Sequence, residues 1–476
     1  MPDNERPHFW IPNDSVRRGP TTRTGRTRTY EREDYGAHGR ELSQKFDVVK
    51  RLIAEKTDSD LTTSYAVQVK TPETERIRSY NKGLIELGLN IVSYSAASES
   101  VATATIEKRK FEQLEHRIDL YTQDSRHPGK REISVIEDIS DVPLEEKLDR
   151  SLTLEETEVK CIVSLFDVLS TRDKEAVAHS ISETLAQEGV EDVRVHSYLN
   201  GTVVVSATVK PSVIRGLGRD YNTVRYISPN NAIVIRRSLP SDDLPNLLEL
   251  SQAGTDVPVA VVDSGINASS PALAGLITET HPFLPHGALS QDFAHGTLVG
   301  SRVIYGDNIE DCLATRRLQP MCKVVDVPIF GVDALDNLIE PTEADLADIL
   351  NTVVSRLAPR VRIYNLSLGS DGPISENTFS LLARQIDALS REYDVLFVVA
   401  AGNIKRSADP HPRHFVRADA RIQAPAESLL ALTVGSIAKS AFQNPVGDKL
   451  VASNSVRISA SIPSFRACSD PSTHLE

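Results

Sequence analysis

The sequence predicts an α/β protein: a doubly wound, mostly parallel sheet in its C-terminal half, preceded by one or two small α+β modules. Three observations carry this expectation. After position 255 the near-continuous apolar runs "VPVAVVDSG", "CKVVDVPIFG", "VRIYNLSLG", "DVLFVVAAGN" and "LLALTVGSI" alternate with the helical stretches "TEADLADILNTVVSRL" and "ISENTFSLLARQIDALSRE", as do strands buried on both faces of a helix-covered sheet. Before position 240 a strand, helix, strand, strand, helix order occurs twice, read from switches between period-2 and helical patterning. The apolar runs also end in small or polar residues, and in parallel sheets ligands and chemistry gather at the carboxyl ends of the strands.

Length and composition bound the possibilities. A chain of 476 residues exceeds one typical core and implies two or three domains. Its formal net charge of -13 argues against general nucleic-acid affinity. The opening "MPDNERPHFWIPNDSVRRGP" has no apolar signal region, and no apolar run is long enough to span a bilayer, so the expectation is a cytoplasmic protein without membrane attachment. Four cysteines, Cys161, Cys312, Cys322 and Cys468, are too few for a disulfide framework and match no zinc spacing.

Residues 1–60 are polar, with six arginines between Arg17 and Arg32, and read as a disordered lead-in or a basic arm. Residues 61–125 hold the first module: "YAVQV" alternates as a strand, "TPETERIRSYNKGLIELG" is a helix stopped by Gly88, and the strands "LNIVSYS" and "VATAT" precede a second helix. The acidic segment 126–157 reads as a solvated linker. In 158–238 "VKCIVSLF" is a strand, "RDKEAVAHSISETLAQEG" puts Val177, Ile181 and Leu185 on one helical face, and Asn200-Gly201 marks a hairpin between "VRVHSY" and "TVVVSATV". A short helix opened by Pro211 follows, and "NAIVI" is expected to close this ferredoxin-like unit. Residues 239–255 are a second linker, and 256–476 form the sheet domain.

The strand ends of that domain hold the candidate chemistry. One run ends in Asp263-Ser264-Gly265, "VRIYN" leads into Ser367-Leu368-Gly369, and "FVVAAGN" ends in Gly402-Asn403. His295 follows Asp263 by 32 positions and opens a helix-compatible stretch. A buried carboxylate on one imidazole nitrogen fixes the tautomer and stabilises the imidazolium, which lets the other nitrogen take a proton from a nucleophile. A side-chain amide in the same cleft can stabilise an oxyanion. His281 and His286 lie in a Pro- and Gly-containing loop and read as solvated.

The segments "VAVVDSGI", "HGTLVGS", "YNLSLGS", "FVVAAGN" and "LTVGSI", in this order and at these separations, resemble the catalytic domain of the subtilisin/kexin-like serine proteases, the subtilases. The resemblance covers roughly 257 to 437. It implies a subtilisin-like fold and serine endopeptidase activity on protein or peptide substrates. It further implies Asp263 as orienting carboxylate, His295 as general base, Asn403 as oxyanion donor, and Ser367, Leu368 and Gly369 as the edge on which an extended peptide lies. The 158–238 module resembles the family's inhibitory propeptide, which implies intramolecular docking on the protease. No cofactor is needed for this chemistry, and calcium sites, which many subtilases use, cannot be assigned to a loop. The unexported character resembles intracellular subtilases, some encoded beside ATPases, which suggests an ATPase partner.

One part of the pattern is missing. The family's nucleophile lies in a Gly-Thr-Ser motif, whereas the Gly-Thr pairs here, Gly201-Thr202, Gly254-Thr255 and Gly296-Thr297, are followed by Val, Asp and Leu. After Gly435 only 41 residues follow, and Ser464 and Ser469 lack the glycine-rich turn and apolar helix of a nucleophile. The expectation is a chain truncated before its nucleophile and inactive as it stands, or a non-catalytic pseudoprotease that binds peptides.

Overall fold

A computed structural model describes residues 30–235, 249–250, 257–403, 421–443 and 449–459, apart from short stretches at 96, 124–129, 153, 156, 307–311, 313 and 376–377. The chain divides into two compact units, Met1–Pro229 and Asn230–Glu476.

The first unit contains two antiparallel sheets. In its N-terminal part run helix α1 (Tyr35–Ala54), β1 (Ser64–Lys70), α2 (Asn81–Glu86), β2 (Asn90–Tyr94), β3 (Val101–Glu107), α3 (Lys108–Gln123) and β4 (Asp138–Ser140). The strands are ordered β2-β3-β1-β4. Two expectations are corrected here. Helix α1 falls within the segment read as a disordered lead-in; it buries Gly39, Leu42, Phe46, Val49 and Ile53, a helical stripe whose Phe46 stacks on Phe111 at 4.3 Å between centroids. Strand β4 falls in the acidic segment read as a linker and adds the fourth strand through Val69↔Ile139. The Arg-rich stretch up to Arg28 lies outside the described residues.

The second sheet comprises β5 (Val159–Leu165), α4 (Thr171–Gln187), β6 (Arg194–Ser197), β7 (Val203–Val209), α5 (Pro211–Asp220) and β8 (Val224–Pro229), with strand order β6-β7-β5-β8. This is the expected β-α-β-β-α-β order. Its closing strand is β8, not "NAIVI". Buried polar groups join the two parts of this unit. Asn222 exchanges two hydrogen bonds with the Ala66 backbone, at 2.7 and 2.9 Å, and Asp58 accepts from the backbone N–H groups of Asn222 and Thr223. Lys147, in the supposed linker, is fully buried and donates to the carbonyls of Gly218 and Tyr221, satisfying groups at the end of α5 that no residue of the helix can reach.

The second unit is built on one seven-stranded sheet. In chain order come β9 (Ile233–Val234), β10 (Pro258–Asp263), β11 (Ile277–Thr280), α6 (Phe293–Tyr305), β12 (Lys323–Pro328), α7 (Glu343–Leu357), β13 (Ile363–Leu366), β14 (Gly369–Ser370), α8 (Leu381–Tyr393), β15 (Leu396–Ala400), β16 (Leu432–Gln443) and β17 (Lys449–Ser459). The sheet order is β11-β12-β10-β13-β15-β16-β17. Six strands are parallel and β17 pairs antiparallel with β16. The last four residues of β10 and the last five of β12 are buried, as strands covered on both faces must be. Each long helix starts at a side-chain cap: Asp292 for α6, a reciprocal Thr342/Asp345 box for α7, and Ser380 for α8, which satisfy backbone donors the helix itself cannot. "NAIVI" belongs to this unit, where β9 pairs antiparallel with β14.

Candidate active site

Asp263 is the last residue of β10 and has no solvent exposure. His295 is in the first turn of α6. Its Nδ1 lies 2.7 Å from Asp263 Oδ1, which also accepts the Ser264 backbone N–H at 2.7 Å. An ionised carboxylate in that position makes Nδ1 the protonated nitrogen of the neutral ring and leaves Nε2 as the basic one. Burial by itself would lower the His295 pKa, but the hydrogen bond and charge of Asp263, with Asp292 adding, raise it above the ordinary imidazole value.

The pair is held by a short zip between the 263–267 loop and the start of α6. Ser264 Oγ accepts the Gly296 N–H at 3.0 Å, and Thr297 Oγ1 accepts the Asn267 N–H at 2.9 Å. Between these bonds two glycines meet backbone to backbone: a Cβ on Gly296 would stand 2.3 Å from the Gly265 oxygen. Gly265 has φ +116°, a conformation open to glycine. The "DSG" and "HG" of the sequence are thus one packed contact, and the small residues that flank the imidazole let the loop and helix touch.

The other expected residues lie on the same carboxyl edge of the parallel sheet. Asn403 follows β15 and is exposed; its backbone N–H donates to Gln423 Oε1 at 2.9 Å. Ser367 Oγ donates to Asn365 Oδ1 at 3.1 Å, Leu368 is buried, and Gly369 opens β14. Asp263 and His295 are in contact, while Asn403 and the Ser367-Leu368-Gly369 segment are placed on that edge by strand topology. Ser464, Ser469 and Cys468 fall outside the described residues. His281 shares a hydrogen bond with Glu279, which also pairs with Arg360.

Residues 254–468 match the family model described as Subtilase family. Residues 254–468 form a subtilase-family domain. No curated protein matches the chain. The match agrees with the subtilisin-like α/β fold and suggests serine peptidase chemistry on protein or peptide substrates, and the Asp263 and His295 pair has the form that chemistry needs. Among the described residues no helix is long and apolar enough to cross a membrane.

The subtilase motifs do not announce Gln423. Its side chain bonds the Asn403 N–H, and its Oε1 lies 3.1 Å from where a Cβ on Gly369 would be and 2.6 Å from one on Gly402. Gln423 therefore ties the expected peptide edge to the expected oxyanion residue. It stands in the otherwise unremarkable run "RIQAPAE", which carries no signal for this role; only the folded contact reveals it.

Proposed function

We propose that this chain carries a subtilase active site in which His295 is the general base, Asp263 its orienting carboxylate and Asn403 the oxyanion donor. The observation that carries this reading is the 2.7 Å contact between His295 Nδ1 and a fully buried Asp263 carboxylate. In the reaction, Nε2 takes the proton of a serine hydroxyl as that oxygen attacks the scissile carbonyl, and Asp263 stabilises the resulting imidazolium. The imidazolium then returns the proton to the leaving amine, and an amide at Asn403 stabilises the negative oxygen between these steps.

Ser367, Leu368 and Gly369 are the proposed peptide edge. Support comes from β9: Val234 pairs with Gly369 and Ile233 with Ser370 in antiparallel register, and Asp371 N–H donates to Ala232 at 2.9 Å. That edge therefore accepts an extended strand. Because β9 follows directly on the ferredoxin-like module in the chain, this pairing also supports a propeptide-like role in which the chain occupies its own substrate edge.

Residues 1–476 contain no Gly-Thr-Ser, and this observation favours a second reading, a peptide-binding protein without turnover. Loss of the nucleophile from such a triad costs on the order of 10⁶ in turnover, a figure established on subtilisin itself and borrowed here. A fluorophosphonate probe with mass-spectrometric mapping separates the readings. This chain is expected to remain unlabelled; modification of Ser464 or Ser469 that is lost in His295→Ala would make it an enzyme in its own right.

A further inference from the structure

Beneath the Asp263 and His295 pair lies a second carboxyl that the triad chemistry does not use. Asp326, on β12, is 1 % exposed. It stands in register with Val261 of the neighbouring β10. Side chains in register point to the same face of a sheet, as do residues two apart on one strand, so Asp326 and Asp263 share a face on adjacent strands. The core shows which face this is: Val261 and Val324, two positions before the two aspartates, pack with Ile304 and Tyr305 of α6. Asp326 Oδ2 reaches forward to accept the Ile266 N–H at 3.2 Å, three residues past Asp263, which brings its carboxyl to the base of the 263–267 loop.

Both carboxyls are incomplete. Among the described residues neither Asp263 Oδ2 nor Asp326 Oδ1 has a hydrogen-bond partner, although both atoms are buried. Two unpartnered buried carboxylate oxygens on adjacent strands and one face of the sheet would be costly if both groups were ionised, and a single proton between them removes the difficulty. Asp263 Oδ1 already takes two N–H donors, Ser264 and His295, against one for Asp326, so Asp326 is the carboxyl placed to hold the proton.

We infer that Asp326 is a positioning residue for Asp263: its carboxyl keeps a proton on Oδ1 and donates it to Asp263 Oδ2, directly or across one buried water, so that Asp263 holds Oδ1 on His295. Burial, opposed by the Ile266 N–H and reinforced by the Asp263 charge, pushes the Asp326 pKa up to about 7, in line with the geometry. Among the described residues, the ionisable groups on the elements packed against it are Asp263 on β10 and, on α6 and its cap, His295, Arg302, Tyr305 and Asp292, with Asp292 acting on His295. On β11 the residue in register is the uncharged Thr280; Glu279 and His281 bond each other, and Glu279 also bonds Arg360.

The inference rests on reading Asp263 and His295 as a working pair, but its test needs no turnover, so it stands or falls separately from the fluorophosphonate result. In full-length protein labelled at histidine, with His295 assigned by a His295→Gln variant, the imidazole titration is followed in Asp326→Asn and Asp326→Val. Asparagine keeps a neutral donor for Asp263 Oδ2, and the His295 midpoint is expected to stay within about 0.3 pH unit of the unaltered protein. Valine removes the donor that shares the Asp263 charge, leaves that charge directed at His295, and is expected to raise the His295 midpoint by about 0.5 unit or more. A clear fall in the asparagine variant would mean that Asp326 is an anion, and an unmoved midpoint in the valine variant would make it structural only; either overturns the inference. Should valine prevent folding, the ¹³C shift of the Asp326 carboxyl, assigned by Asp326→Asn, decides: protonated at about pH 6 supports the inference, ionised at that pH overturns it.

Discussion

Replacing Gly296 by alanine tests whether the contact between loop and helix holds the Asp263 and His295 pair together. The added Cβ would stand 2.3 Å from the Gly265 oxygen, 2.7 Å from its nitrogen and 2.8 Å from its carbonyl carbon. All three are backbone atoms, and Gly265 is at φ +116°, so the loop must move as a unit. Alanine in a helix gains up to about 1 kcal/mol over glycine. Against this, overpacking of a rigid contact costs about 1–3 kcal/mol. The displaced loop also strains two hydrogen bonds, Gly296 to Ser264 and Asn267 to Thr297, worth about 1 kcal/mol each. The net expectation is a loss of roughly 2–4 kcal/mol from the second unit, with the His295 imidazole titrating lower as it parts from Asp263. Gly300 is the internal control on the same helix: the atoms nearest its Cβ would belong to the Ile266 side chain, Cδ1 at 2.7 Å, rather than to the backbone. Gly300→Ala is therefore expected to cost less than Gly296→Ala by about 1 kcal/mol or more. Urea unfolding followed by hydrogen exchange in α6 reads both variants. Equal stability of the two, with an unchanged His295 titration in Gly296→Ala, would refute the reasoning.

Two buried charges give pH-dependent predictions. Burial, opposed by the Leu382 N–H and aided by Glu427, pushes the Glu343 pKa up to about 7. A carboxyl raised on folding lends stability that is full below its unfolded value of about 4.3 and is lost as pH rises towards about 7; Glu343→Gln is expected to flatten this slope and to be the more stable protein at about pH 8, as measured by thermal unfolding across that range. Lys147 is shifted the other way, down to about 8, by burial. The unfolded state then binds more protons between about pH 8 and 10.4, so stability of the first unit rises with pH there. Lys147→Met should abolish that rise and, by leaving the Gly218 and Tyr221 carbonyls without their donor, lower stability at neutral pH by about 1–3 kcal/mol, read by urea unfolding of the full chain.

Much of this architecture was legible because the signals are local. The apolar runs that became β10, β12, β13, β15 and β16 are continuous, and the two chemistry-bearing positions sit in short motifs whose glycines are explained by the contact they make. The missed features depend on contacts distant in sequence. Helix α1 has an apolar stripe at 42, 46, 49 and 53, but it lies in a polar, arginine-rich neighbourhood whose composition outweighs it. Lys147 looks solvated in "EEKLDR", and only the end of α5, more than seventy positions on, makes it a buried donor. "NAIVI" has the alternation of a closing strand, yet β8 already fills that place in the first unit's second sheet, and the segment pairs with Gly369–Ser370 instead. Asp326 and Gln423 act through contacts at 60 and 20 positions' separation, for which no periodicity prepares.

The most direct test of the account is the titration of the His295 imidazole in the unaltered protein and in Asp263→Asn. The hydrogen bond and charge of Asp263, with Asp292 adding, outweigh burial and keep the His295 pKa above the free value of about 6.5. Such a histidine lends stability that is full below about pH 6.5 and is lost as pH rises through the raised folded value. With asparagine the charge is gone, burial prevails, and the midpoint is expected to drop below about 6.5, together with the disappearance of that component of pH-dependent stability. A His295 that titrates at the free value and does not respond to the substitution would contradict the assembled pair.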